Sequence, residues 1–180
     1  MRWPGAVLRR FAACRAGVRA VEFACVLPIF LLLLMGGGEY TRALAISRKV
    51  TVTTRTVTDL TSRSTTVTES EIKAILAAST QVMAPFDASN LTIVLSEVTT
   101  DAAGTKTTVT WSRTLNGTAL PEGSSFPLAS GAGQAGASLI VGQVSYAYVP
   151  SFGSSFVAAM TLADTLYMNP RLSTTVAVSG

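Results

Sequence analysis

Histidine is absent from the 180 residues. That removes the commonest general base, metal ligand and sensor of near-neutral pH. Cysteine occurs only as Cys14 and Cys25, both in or before the one long apolar run. The polar remainder therefore has no disulfide framework, and without histidine an ordinary zinc site has no ligand set. Charge is scarce as well: Asp, Glu, Lys and Arg make up 13% of the chain, about half the usual share. The sequence holds no G-x-S-x-G, no S-x-x-K and no phosphate loop. Asp59, Glu69, Glu71, Asp87, Glu97, Asp101, Glu122 and Asp164 are scattered without calcium-loop spacing. Glu69 and Glu71 suit the start of a helix, where the macrodipole favours acids. These absences point to a non-catalytic chain with no cofactor and no metal.

The charge that is present is unevenly placed. The formal net charge is +4, and the pI is near 9.4. Arg2, Arg9, Arg10 and Arg15 fall in the first seventeen positions, which contain no acid; from position 18 onward ten basic residues face ten acidic ones. A basic N-terminus on a neutral body suits membrane targeting and argues against a nucleic-acid-binding face.

Hydrophobic residues make up 48% of the chain, and much of that lies in one place. Phe23 to Gly38 reads FACVLPIFLLLLMGGG, sixteen residues without a charge. At about 1.5 Å per residue this reaches only ~24 Å, against a hydrocarbon core of ~30 Å. Ala20 and Val21 lengthen it at one end; Tyr40, a snorkelling Arg42 and Ala43–Ile46 lengthen it at the other. A membrane helix from about Arg19 to Ile46 is expected, with Pro28 and Gly36–Gly38 as soft spots. Five arginines (2, 9, 10, 15 and 19) precede the run, which places the N-terminus in the cytoplasm. Glu22 stands at the edge of the span, where a carboxylate is costly and either calls for a cation within the bilayer or sits at headgroup level paired with Arg19 one turn earlier.

The string around that glutamate carries a resemblance. Gly17 is followed five positions later by Glu22, after a short basic leader, as at a type IV prepilin processing site. Glu22-Phe23, Leu27-Pro28, the run Ile29–Met35, and Glu39-Tyr40 with Arg42 follow in order. This arrangement, over roughly Arg15 to Ala45, is similar to the TadE-like pseudopilins of the tight-adherence (Tad/Flp) pilus system. The resemblance implies cleavage after Gly17 by a membrane prepilin peptidase, so that Val18 becomes the new N-terminus. Glu22, fifth in the mature chain, would then accept a charge-assisted hydrogen bond from a neighbouring subunit's terminal amine. It also implies, as partners, the membrane, the peptidase, other pilin and pseudopilin subunits and the assembly machinery. Val18, where classical pilins carry phenylalanine, and the charge of Arg19 depart from the common pattern. Two other readings stay open. Ala43-Leu44-Ala45 offers an A-x-A site, which would release a secreted or signal-anchored periplasmic binding protein beginning at Ile46. An uncut, permanently anchored protein would begin at Met1.

Beyond the membrane the expectation is α+β. Residues 1–17 form a leader, 18–46 the transmembrane helix, 47–84 a juxtamembrane helical region and 85–180 an extracytoplasmic β-rich domain. Ile46, Val50, Val57, Leu60 and Val67 fall on heptad-like positions, predicting that the membrane helix continues outward. Nine of the eighteen residues from Thr51 to Thr68 are threonine, which opposes a helix through β-branching. Thr68 is placed as the N-cap of a second helix reaching about Met83, before Pro85. Alternation predicts strands over Leu91–Thr99 and Thr107–Asn116, joined by a turn at Asp101–Gly104. A long loop over Leu120–Ala137 follows, then a strand over Ser138–Val149 with Ile140, Val144, Tyr146 and Tyr148 on one face. Pro150–Ser155 is expected to turn, and Met160–Met168 to form the last strand.

Overall fold

The structure, a computed structural model, describes residues 15–128, 133–150 and 158–179. Residues 1–14 of the expected 1–17 leader and most of the expected Pro150–Ser155 turn lie outside the described residues.

Helix α1 spans Arg15–Ser62, 48 residues in one piece, and passes through Pro28. The soft spots expected at Pro28 and Gly36–Gly38 do not break it. Thr41 helps at the glycines, its hydroxyl donating to the Gly37 carbonyl at 2.8 Å. The helix ends at Ser62, short of Val67, where the Ser64 N–H turns back to the Thr61 carbonyl at 3.1 Å. Val67 falls instead in a three-residue strand, β1 (Thr66–Thr68). Leu60, expected on the buried stripe, is 43% exposed.

Helix α2 (Glu69–Thr80) opens as the sequence predicts. The Thr68 hydroxyl accepts from the Glu71 N–H and the Glu71 carboxylate accepts from the Thr68 N–H, a complete capping box. A 3-10 turn carries the chain to Met83. Four strands follow: β2 (Leu91–Thr100), β3 (Thr107–Leu115), β4 (Ser138–Tyr148) and β5 (Met160–Met168). They form an antiparallel sheet in the order β3-β2-β4-β5. A last strand, β6 (Ala177–Ser179), pairs in parallel with β1, and no local sequence pattern announced it. The mixed α+β architecture of long helix, short helix and small antiparallel sheet is the expected one.

The sheet buries both faces. On one, Leu91, Ile93, Leu95, Trp111, Ile140, Val144, Tyr146 and Tyr148 pack with Ile46, Val50 and Val57 of α1 and with Ile72 and Leu76 of α2. This bears out the predicted face of β4. On the other, Val98, Val109, Leu139 and Val141 pack under Phe126 from the 120–128 stretch. That stretch also shields the edge of β3, through hydrogen bonds from the Val109 N–H to Ser124 and from the Phe126 N–H to Thr107.

Candidate functional site

Every motif residue singled out in the sequence sits on α1, and the structure divides them into two environments. From Gly17 to Gly38 every residue of the helix is exposed. Phe23 is 64% exposed, Leu33 67% and Leu34 73%. No other described element covers this stretch, although its composition is the most apolar in the chain. A helix apolar all round and bare all round has no low-energy place in water. By length and composition it can cross a membrane. Gly17, Val18, Glu22, Phe23, Leu27 and Pro28 all belong to this bare part. A Cβ built on Gly17 meets no described atom within 4 Å outside the helix's own backbone.

The second environment begins at Glu39, whose side chain is buried at 6% exposure. The Tyr148 hydroxyl, from the end of β4, donates to its carboxylate and lies 3.4 Å from its backbone carbonyl. Burial, followed by the bond to Glu39, pushes the Tyr148 phenol up to about 12. The phenol therefore stays protonated and keeps donating throughout the physiological range. The next residues diverge: Tyr40 is 72% exposed and Arg42 is exposed, whereas Ala43 packs against the core. From Ile46 upward one stripe of α1 lies against β4 and β5.

That stripe is rich in threonine. Thr53, Thr54, Thr58 and Thr61 are fully buried. Three of them turn their hydroxyls back onto the helix, Thr54 to Val50, Thr58 to Thr54 and Thr61 to Val57, at 2.7–2.9 Å. Each hydroxyl thereby finds an acceptor on its own helix and leaves no orphaned donor. Gly142 on β4 completes the contact. A Cβ placed there would meet the Thr58 hydroxyl at 2.0 Å and the Thr54 carbonyl at 3.5 Å. Only a residue without a side chain lets the helix sit this close to the sheet. The helix is also tied by Lys49, whose ammonium donates to the Val82 carbonyl at 3.0 Å.

The C-terminal segment closes the domain, which sequence reading missed. The Val176 N–H donates to the Glu97 carboxylate at 2.8 Å, and the Val176 carbonyl accepts from the Trp111 indole at 2.8 Å. Its side chain is fully buried. Burial pushes the Glu97 carboxyl above its ordinary value, while the Val176 N–H, Trp111 and Ser138 pull the other way. Nearer α1, the Arg171 N–H donates to the Ser62 carbonyl at 2.8 Å and its guanidinium pairs with Asp59 at 2.6 Å. Trp111 thus packs in the core, as its strand position suggested. Among the described residues no group of three or more His, Cys, Asp or Glu is placed to hold a metal ion.

Neither the curated proteins nor the solved structures include a match to this chain. Residues 17–58 match the family model described as TadE-like protein. The match covers the bare helix, Glu39 and most of the packed threonine stripe, and it bears out the resemblance read from Arg15–Ala45. Through α1, therefore, the chain carries a TadE-like segment.

Proposed function

We propose that this chain is a membrane-anchored minor pilin-like subunit, a pseudopilin, that takes part non-catalytically in assembly of a tight-adherence type IV pilus. One observation carries the reading: a bare apolar helix with a carboxylate near its start runs without a break into a folded domain. Residues 17–38 are 22 residues, about 33 Å of helix against a hydrocarbon core of ~30 Å. This stretch lies in the bilayer, the N-terminus faces the cytoplasm, and the domain from Glu39 onward lies outside. The basic N-terminal flank supports that orientation. A prepilin peptidase removes residues 1–17 and leaves Val18 as the new terminus. Glu22 then accepts from the terminal amine of a neighbouring subunit, a matched charge pair where water is scarce. Leu27-Pro28 and the leucine run supply the packing surface between helices. Glu39, held by Tyr148, locks the domain at a fixed height above the membrane, with Tyr40 and Arg42 at the interface.

The alternative cut after Ala45 suits the molecule poorly. It would sever α1 inside its packed stretch, taking Glu39 from Tyr148 and Ala43 from the core. N-terminal sequencing of detergent-extracted protein separates the readings. Val18 is expected; Ile46 would establish a secreted protein and Met1 an uncut anchor. Gly17→Leu should leave the precursor at full length on a gel, and normal shortening of that variant would remove the proposed processing site.

A further inference from the structure

Where α1 leaves its bare stretch, a crevice of about 400 Å³ opens between the helix and the start of β5. Gly36, Tyr40, Ala43 and Leu44 line it from the helix, and Met160 and Leu162 from the strand. Its lining is apolar apart from the Glu39–Tyr148 pair and Ser47. Leu44 and Met160 are 41% and 42% exposed, large hydrophobic side chains on an outer rim. At about 100° per residue, Tyr40 lies five full turns above Glu22 on the same line of the helix, with Gly36, Leu44 and Ser47 within roughly 40° of it. Ile29 and Leu33 fill the same line between them. Glu39 and Ile46 lie about 100° and 120° away, on the face turned to the sheet. The surface that carries Glu22 therefore runs straight up into the crevice.

We infer that this crevice, continuous with the Glu22 face, seats the apolar helix of a second processed copy of this chain, packed parallel to α1. The inference rests on the proposed function, because the free amine that Glu22 needs is created by cleavage after Gly17. A lipid tail fills the crevice but brings no cation to the carboxylate on the same line. A soluble partner reaches the crevice but not the glutamate below it. An apolar helix headed by an ammonium group satisfies both ends, and the 18–38 helix of a second copy has that chemistry. With the second copy's amine opposite Glu22, the two helices are offset by four residues, about 6 Å. The second copy's Gly36 then comes level with Tyr40, where the missing side chain leaves room for the ring.

Site-specific photo-crosslinking tests this in membranes of cells that carry the assembly machinery. Two differently tagged full-length copies are co-expressed, one with a photoreactive residue in place of the exposed Met160. Irradiation should yield an adduct bearing both tags, its crosslinked peptide falling within residues 32–44 of the second copy. Glu22→Gln, a change on the bare helix remote from the folded domain, should lower that adduct at least tenfold. An adduct with lipid alone, an adduct with other proteins alone, no adduct, or a two-tag adduct unmoved by Glu22→Gln overturns the inference. N-terminal sequencing of the same material keeps the two readings apart. A Val18 start without the two-tag adduct sinks the second-copy seat and leaves the pseudopilin reading standing. Any other start sinks the pseudopilin reading itself.

Discussion

Two side chains show how much a single atom decides in this domain. The hydrogen of Gly142 stands where a methyl would press into the Thr58 hydroxyl at 2.0 Å. Gly142→Ala should destabilise the domain by about 1–3 kcal/mol, the usual range for overpacking. Thermal unfolding of the detergent-solubilised protein reads it out. Thr58→Ala removes the offending oxygen and leaves the Thr58 Cβ at an ordinary 3.4 Å, so the double variant should recover most of the loss. If it did not, the close approach would not be the cause. Glu97 makes a different kind of prediction. Its carboxyl is pushed above its ordinary 4.5 by burial, so the folded state holds the proton more tightly than the unfolded chain. The stability it contributes is full below 4.5 and is lost as pH rises through the raised folded value. Glu69, Glu71, Asp87 and Asp101 are shifted downward. Their contribution is complete above the ordinary carboxyl values, so they leave this window undisturbed. Glu97→Gln keeps an acceptor for the Val176 N–H and removes the charge. Denaturant titrations above pH 4.5 should show wild-type stability falling relative to the variant; parallel curves would disprove the assignment.

At the scale of the element, α1 is a helix built against its own propensity. Threonine-dense sequence from residue 51 favours strand, and Val50–Thr53 even alternates like one. Two things overrule it: a helix already running from the apolar stretch needs no new nucleus, and the threonine hydroxyls are absorbed by carbonyls one turn back. Thr53 is the exception, fully buried with an oxygen that has no hydrogen-bond partner. Thr53→Val replaces that oxygen by a methyl of nearly the same shape. It should raise stability by about 1 kcal/mol, since a buried unsatisfied hydroxyl costs roughly 1–3 kcal/mol. A lowered melting temperature would mean that the hydroxyl is satisfied in solution.

At the scale of the whole molecule, the last residues hold the domain together across its sequence. Arg171 straps the end of α1, Val176 plugs the core between Glu97 and Trp111, and β6 pairs with β1. Truncation after Met168 strips Glu97 of its backbone donor and uncovers an indole now 4% exposed. The truncated chain should lose protease resistance from Thr66 onward while its apolar helix still partitions into detergent. A truncated domain as resistant as the full one would show the strap to be dispensable.

What the sequence determined by itself was local. The long apolar run, the basic N-terminal stretch, the Glu22 position, the capping box at Thr68 and Glu71, and strands β2 to β5 are written in neighbouring residues. Periods of two and of 3.6 can be read along a chain. What only the tertiary structure decided was pairwise over distance. Glu22-Phe23 and Glu39-Tyr40 look alike as dipeptides, yet one carboxylate stands bare on the helix and the other is buried against Tyr148, 109 residues away. The parallel β1–β6 pair, the Gly142 seat for Thr58 and the Glu97 hold on Val176 are of the same kind. Each depends on two segments that the chain brings together only after the helix and sheet have packed, so neither segment carries the signal alone.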